Sequence, residues 1–292
     1  MMEPEPYRAL IVGSNGYLGK ELFAAAGRRC EVRGTSPRAG TGTLRLELGD
    51  AAAFDYASLQ RRETVFLTAA ISEPDVCARE HDRAWAVNVD GTGTFIAKAL
   101  DRGARVIFFS SDTVYGEQSG PCDETLAPQP GGGAYADMKR AVEARFSGHP
   151  EFKAIRLSYV FSRDDRFSRY LAGCAARDAI AEVFDPFSRA VIHRDDVVAG
   201  ALALAGDWTA FPAAAINFGG REVLSRLEIA QVVKDTMLPG LRFAATQPPP
   251  QFFANRPRVV AMQSPLLPRL LGRPQHSLQE AAILESQGAR AL

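Results

Sequence analysis

Gly13-Ser14-Asn15-Gly16-Tyr17-Leu18-Gly19, directly behind the apolar run Arg8–Val12 (RALIV), is the stretch whose reading decides the fold. The first-turn N–H groups of a helix lack intrahelical partners, and the macrodipole is positive at that end, so it attracts anions. In such a turn Gly13 allows the tight exit from the strand, Gly16 lets backbone approach a pyrophosphate, and Gly19 lets the helix pack close to the sheet. The spacing is GxxGxxG rather than the commoner GxGxxG, and glycines also serve ordinary tight turns. A strand before the triplet and a helix after it, reaching about Arg28, favour the dinucleotide reading, with Asn15, Tyr17 and Leu18 carried in the same turn.

Outward from that turn, strand-like runs alternate with helical segments. Glu31–Thr35, Leu44–Leu48, Val65–Ala69, Arg105–Ser110 and Phe152–Leu157 read as strands. The stretch from Val76 to Leu100 and the segment Tyr135–Phe146 read as helices. Alternation of this kind predicts a Rossmann-like α/β fold, a doubly wound parallel sheet covered on both faces. The Gly- and Pro-rich stretch Glu117–Gly133 breaks the rhythm, and its length suggests a flap over a site, with a plain surface excursion as the alternative. Beyond Val160 the pattern becomes irregular and Pro-rich, which predicts a smaller C-terminal α/β substrate-binding lobe. A helix at Val197–Ala205 and a strand at Ala215–Phe218 read as a return to the sheet. The expected division is 1–160 with 190–219 for the dinucleotide-binding domain, and 161–189 with 220–292 for the lobe.

Composition narrows the partners. The 34 Lys and Arg balance the 34 Asp and Glu among 292 residues, so no bulk field draws the chain to nucleic acid or an anionic membrane. Four dispersed cysteines, without a CxxC pair, point to a reducing cytoplasmic compartment and away from a structural metal site. The acidic, Pro-rich start Met1–Pro6 reads as neither signal nor transit peptide. The most membrane-like run, Val197–Gly206, falls short of the roughly 20 residues a spanning helix needs. Periodicity does not separate an interface helix from a core helix, so a homodimer stays open.

The second strand usually ends in an acid that holds the adenosine ribose 2′-OH. Here it runs Arg33-Gly34-Thr35-Ser36-Pro37-Arg38, without a carboxylate. Arginines and hydroxyls suit a 2′-phosphate, so NADP is expected over NAD, through Ser36 and Arg38; the alternative leaves Arg33 and Arg38 as solvated surface groups. Asp50 is placed to contact the adenine edge, and small Ala69 and Ala70 end the next strand where backbone must approach the cofactor.

Tyr135 and Lys139, at i and i+4, share one helix face. A nearby ammonium lowers the pKa of a phenol from its usual value near 10, and the same lysine can reach the nicotinamide ribose. YxxxK alone often marks only a solvated face. Ser111 follows the Arg105–Ser110 strand at the carboxyl edge, where open α/β sheets bind ligands, and its hydroxyl can polarise a carbonyl while Tyr135 donates the proton. Its bland alternative is a turn-capping serine. His193 is a candidate for substrate phosphate, with a satisfied structural group, the commoner state of a lone histidine, as the alternative; Arg189 is the better diphosphate candidate, since arginine clamps phosphates. Asp195 and Asp196 read as carboxylates at a helix N-terminus.

GSNGYLG, FLTAA (66–70), NVDGTG (88–93), SSDTVYG (110–116), YADMK (135–139) and VIHRDDVVAG (191–200) occur in that order over about two-thirds of the chain. In these motifs the chain resembles the extended short-chain dehydrogenase/reductase family. TAAISEPDVCARE (68–80), Ser111-Asp112, LSRLEIAQ (224–231) and the RP segments resemble its dTDP-4-dehydrorhamnose reductase branch of sugar-nucleotide reductases. The resemblance implies Ser111, Tyr135 and Lys139 as the catalytic triad. It implies Arg156–Val160 near the nicotinamide, with Tyr159 toward the cofactor, and Ser72, Asp112 and Thr113 toward the substrate. The implied activity is NADPH-dependent reduction of a nucleotide-linked 4-keto-6-deoxysugar, with an NAD-dependent epimerase or an idle NADP-binding regulatory subunit as alternatives. Related dehydratases carry an Asp-Glu pair after the catalytic hydroxyl, whereas here the pair is Asp112-Thr113, which argues against that chemistry.

Overall fold

In a computed structural model the protein is described over residues 8–38, 42–118 and 120–288; the acidic start lies outside these. In chain order the first elements are β1 (Arg8–Val12), α1 (Gly19–Gly27), β2 (Glu31–Ser36), β3 (Thr43–Arg45), β4 (Thr64–Leu67), α2 (Pro74–Arg79), α3 (His81–Trp85), α4 (Thr92–Asp101), β5 (Arg105–Ser111), α5 (Gly133–Phe146) and β6 (Phe152–Leu157). There follow β7 (Tyr159–Phe161), α6 (Arg166–Ala176), β8 (Ile180–Phe184), β9 (Ser188–His193), α7 (Arg194–Gly206), β10 (Ala215–Phe218), β11 (Val223–Ser225), α8 (Arg226–Thr236), β12 (Arg242–Thr246), β13 (Val259–Val260), α9 (Leu267–Leu271) and α10 (Leu278–Gly288).

Seven strands pair in parallel in the order β10-β6-β5-β4-β1-β2-β3. Direction of travel reverses between β1 and β4, so the crevice outside their carboxyl ends is the topological switch point where such sheets bind ligands. Both faces are buried, which is why the strands read as unbroken apolar runs rather than as alternation. Ala9, Ile11, Phe66, Ile107 and Ile155 pack with α1 and α7 on one face, while Leu10, Val12, Val65, Phe108 and Ala154 pack with α4 and α5 on the other. The remaining strands form smaller sheets, β11-β9-β13 with β7 on β9, and β12 with β8. A separate apolar core of Phe161, Leu171, Val183, Val191, Ile229, Val233 and Leu278 holds them against α6, α8 and α10.

Three expected elements change shape. The strand expected over Leu44–Leu48 stops at Arg45, and Leu48–Ala53 forms a 3-10 segment. The long helix expected from Val76 is broken into α2, α3, a π-helical turn at Ala86–Gly91, and α4. The cause is local. Asn88 in the π turn accepts from the Ile71 N–H at 2.9 Å and donates to the Ile71 carbonyl at 2.8 Å, while Gly91 lies so close to the Leu48 carbonyl that a Cβ would sit 1.7 Å from it. Such bulges are found at functional sites, and this one holds the loop that follows β4.

The expected flap also resolves differently. The Glu117–Gly133 segment is tied down: Cys122 N–H donates to the Ala261 carbonyl, Glu117 accepts from the Arg258 N–H, and Glu124 accepts from the Asn217 N–H. These bonds hold it against the β13 region and β10. Asp195 and Asp196 do stand in the first turn of α7, but Asp196 is fully buried and clamps the chain beyond α9, accepting from Arg273 at 2.6 Å and the His276 N–H at 2.8 Å. No helix among the described residues is long and apolar enough to cross a membrane.

Candidate active site

The carboxyl edges of β1, β2 and β4 are stitched together by side chains at their ends. Thr68 Oγ1 donates to the Val12 carbonyl at 2.8 Å, and Ser14 Oγ donates to the Thr35 carbonyl at 3.2 Å. Gly13 has φ +87°, and a Cβ there would lie 2.9 Å from the Ala69 Cβ. A Cβ on Gly19 would lie 2.1 Å from the Gly13 carbonyl oxygen. The turn therefore closes back-to-back only with glycine at both ends. Leu18 at the N-cap of α1 makes no side-chain cap; the Lys20 N–H donates to the Gly16 carbonyl at 3.1 Å and the Leu22 N–H to the Leu18 carbonyl at 3.0 Å.

This turn forms one wall of a cleft of ≈ 440 Å³. Of the expected cofactor residues, the structure brings Gly13, Asn15, Gly16, Tyr17, Leu18, Ser36, Ala69, Ala70, Tyr135 and Lys139 into its lining. Ser72, expected on the substrate side, also lines it. Thr35, Pro37, Thr68 and Leu157, which fall in segments the sequence assigned to the cofactor, line it with Gly19; Phe109 and Ser110 were not singled out, and both lie near the carboxyl end of β5, which was the available signal. Ser110 Oγ is buried there without a partner.

Lys139 is almost fully buried, and its Nζ donates to the Phe109 carbonyl at 2.7 Å, 4.4 Å from the Phe108 ring centroid and 5.5 Å from that of Tyr135. Burial pulls its pKa down to about 8, with the Glu143 carboxylate pulling the other way. The expected depression of the Tyr135 phenol meets an opposing environment. Burial, seconded by the nearby Cys77 and Asp112, pushes it up and holds it protonated.

Ser111 closes β5 and caps the 3-10 turn Asp112–Tyr115, accepting from the Thr113 N–H at 3.2 Å and from Thr113 Oγ1 at 3.0 Å. Its own proton points to Asp112 Oδ1 at 3.2 Å. The capping alternative is therefore realised, and Ser111 is not among the residues that line the cleft, whereas its neighbour Ser110 is. Asp112 is buried, accepts from Ser158 Oγ at 2.8 Å and lies 3.5 Å from Arg189 Nε. Burial raises its pKa against the pull of Arg189.

Several expected residues lie elsewhere. Arg189 is a buried tie, not an open phosphate ligand: Nη1 donates to the Ser188 and Arg258 carbonyls and Nη2 to Pro257, while Nε faces Asp112. His193 ends β9 and is buried, its Nε2 3.0 Å from Glu285, and lines neither this cleft nor the larger cavity beyond it. Thr113 is buried in the Ser111 turn. Asp50 is exposed in the 3-10 segment after β3, outside the cleft lining. Arg33 is consumed by Glu63, with Nη2 at 2.7 Å from both carboxylate oxygens, which leaves Ser36 in the cleft and exposed Arg38 two residues on. Tyr159 does not face the glycine turn. It lines a second, larger cavity of ≈ 980 Å³ and donates to Asp165 at 2.7 Å. Tyr17 lines both spaces, its hydroxyl 2.7 Å from Ser162 Oγ, and forms the wall they share.

The profile of the RmlD substrate binding domain matches residues 7–290. A dTDP-4-dehydrorhamnose reductase of Mycobacterium tuberculosis is 30% identical over 210 residues, covering 68% of this chain and 66% of that protein. Among solved structures, MoeE5 in complex with UDP-glucose and NAD superposes with a TM-score of 0.80 at 22% identity, over 97% of this chain and 99% of that one. A hypothetical dTDP-4-dehydrorhamnose reductase from Sulfolobus tokodaii gives 0.80 at 22%, over 94% and 98%. A UDP-glucuronic acid 4-epimerase from Bacillus cereus gives 0.79 at 20%, over 97% and 99%. At such identities the superpositions show the shared fold.

Proposed function

We propose, from the premise that the chain belongs to the RmlD substrate binding domain family, that it is an NADPH-dependent ketoreductase acting on a nucleotide-linked 4-keto-6-deoxysugar. The observation that carries this reading is one continuous lining: the glycine turn, Tyr135 and Lys139 share a cleft, and Tyr17 joins it to the larger cavity. The chain's match spans 66% of the curated relative's length, so the activity rests on these residues rather than on that likeness alone.

The cleft suits a pyridine dinucleotide. The turn that walls it closes only with glycine at Gly13 and Gly19, and the cleft holds an orphaned hydroxyl, Ser110 Oγ, beside the YxxxK pair. Gly13–Leu18 would hold the pyrophosphate, Ser36 and Arg38 the 2′-phosphate, and Ala69 and Ala70 would leave room for the adenosine half. When bound, the cofactor supplies a hydride to the keto carbon. Tyr135, kept protonated by burial, gives its proton to the keto oxygen as negative charge develops there. Ser111 turns its hydroxyl from Asp112 toward that oxygen and stabilises it. Lys139, fixed by the Phe109 carbonyl, presents a positive charge beside the phenol. Small sheets and α8 would supply the substrate lobe, 161–189 with 220–292.

Asp112 argues against dehydratase chemistry. Ser111, Ser158 and Arg189 surround its carboxylate, so it is held in place instead of being free to shuttle a proton. An epimerase would retain cofactor through purification and need no added reductant. The deciding experiment follows NADPH oxidation by purified protein against a panel of 4-keto nucleotide sugars, with Tyr135→Phe as control. Turnover without added NADPH, or none on any 4-keto sugar, defeats the reductase assignment.

A further inference from the structure

Two adjacent hydroxyls at the end of β5 are in opposite states. Ser111 Oγ is taken up by the Thr113 N–H, Thr113 Oγ1 and Asp112 Oδ1, and lies outside the cleft lining. Ser110 is 3% exposed and lines the cleft, yet its Oγ has no hydrogen-bond partner in the protein. Successive strand residues face opposite sides of a sheet, so Ser110 shares a face with Phe108, over whose ring the Lys139 ammonium lies at 4.4 Å. Lys139 also donates to the carbonyl of Phe109, the residue bonded to Ser110. The orphaned hydroxyl thus stands beside the lysine. Thr64 Oγ1 is the other buried hydroxyl without a partner among the described residues, but it sits at the amino end of β4 and lines neither cavity. A hydroxyl taken out of water with no partner destabilises the folded chain. At Thr64 that cost is permanent; at Ser110 a ligand can remove it.

We propose that Ser110 Oγ is a cofactor contact, and that its missing partner is the nicotinamide half of a pyridine dinucleotide. This rests on the dinucleotide reading of the cleft and adds a side chain that holds the reactive half. The direction of the bound molecule follows from the sheet. In the order β2-β1-β4-β5-β6, the cleft is lined by Ser36, the glycine turn, Ala69 with Ala70, Ser110, and Leu157. With the 2′-phosphate at Ser36 and the pyrophosphate at the glycine turn, the nicotinamide half falls at β5, where Tyr135 and Lys139 also line the wall. A serine hydroxyl both donates and accepts, as do the ribose hydroxyls and the carboxamide of that half. Rotation about one bond re-aims it between staggered positions, so engaging the ligand requires no movement of β5. The unsatisfied hydroxyl is then stability surrendered for binding, a trade expected at functional sites.

Fluorescence titration of the whole protein with NADPH and NADH, together with thermal unfolding without added cofactor, tests this. Ser110→Ala weakens both dinucleotides about fivefold, the factor that corresponds to about 1 kcal/mol for one hydrogen bond. In competition against NADPH, 2′,5′-ADP, which carries only the adenosine half, keeps its wild-type affinity. Ser110→Ala also raises the Tm of the protein without cofactor, because the orphaned hydroxyl is gone, and shrinks the Tm gain on adding NADPH. Thr64→Val, the control, raises Tm and leaves both dinucleotides bound as in the wild type. Unchanged dinucleotide affinity in Ser110→Ala overturns the contact while leaving the dinucleotide reading intact. Equal weakening of 2′,5′-ADP overturns its placement at the nicotinamide half. A lowered Tm without cofactor makes Ser110 a structural hydroxyl and overturns the proposal as well. Failure of the wild type to bind either dinucleotide overturns the reading beneath it.

Discussion

The cleft at the glycine turn and the cavity beyond Tyr17 are built in opposite ways. The cleft is made largely of main chain and small residues at strand ends, Gly13, Gly16, Thr68, Ala69, Ala70 and Ser110, positioned by a parallel sheet that any such sequence rhythm produces. The cavity is made of long side chains from α2, β7, α6, β8, α8 and the Pro250–Asn255 turn, elements far apart in the chain. One space is specified by spacing along the sequence; the other by which distant elements the packing brings together. Chemistry shared across a fold belongs to the first kind of construction and substrate choice to the second.

The sharpest way to break this comparison is at the phenol. Tyr135→Phe should lose about 10²–10⁴-fold in turnover, the range expected when a positioned acid is removed, with NADPH affinity unchanged because the glycine turn is intact. If turnover survives, the cleft is a binding site only, and the contrast between chemistry and selection disappears.

Arg189 and Arg226 give the next test, because both are arginines beside Phe187 and only one is committed. Arg189→Met leaves buried Asp112 without its countercharge, which should cost about 3–5 kcal/mol and appear as a large fall in Tm, together with a loss of kcat through the misplaced Ser111. Arg226→Met should leave Tm close to wild type and raise KM. The opposite pattern would reverse the two assignments.

This pair also shows what the sequence could reveal. The parallel sheet, the glycine turn and the YxxxK helix follow from periodicity and spacing, and the residues lining the cleft were mostly legible for that reason. Arg189 and Arg226 look alike in a sequence. Their difference depends on the carbonyls of Pro257 and Arg258, some 70 residues away, arriving beside one of them. His193 takes its structural alternative, and the partner that decides this, Glu285 on α10, meets it only through tertiary packing. The π turn at Ala86–Gly91 was hidden because its determinant is Gly91 pressed on Leu48, a contact no local pattern encodes.

Lys139 offers a test of smaller size with a definite sign. Its pKa is lowered to about 8 from 10.5, so between those values the unfolded chain holds the extra proton. The lysine's contribution to stability therefore rises as pH climbs through that window, and the wild type should gain Tm relative to Lys139→Met between pH 8 and 10. Activity should move the other way, falling about tenfold per pH unit above 8 as the ammonium beside Tyr135 is lost, since titration of one group changes its charged fraction tenfold per unit. Parallel trends would mean that Lys139 serves packing alone.

The smallest effect concerns the outer edge of the cleft, where side chains rather than backbone would read the cofactor. Arg33 is tied to Glu63, so recognition of a 2′-phosphate falls to Ser36 and Arg38. Arg38 is exposed, and an exposed charge pair contributes little, on the order of 1 kcal/mol or below. Arg38→Ala should therefore raise the Kd for NADPH about fivefold, the factor that corresponds to about 1 kcal/mol, and leave NADH unchanged. Fluorescence titration with each cofactor measures both. An equal loss for NADPH and NADH would place Arg38 on the shared part of the dinucleotide. No loss for either would leave the main chain and Ser36 as the determinants, and would extend the backbone-built character of the cleft to its rim.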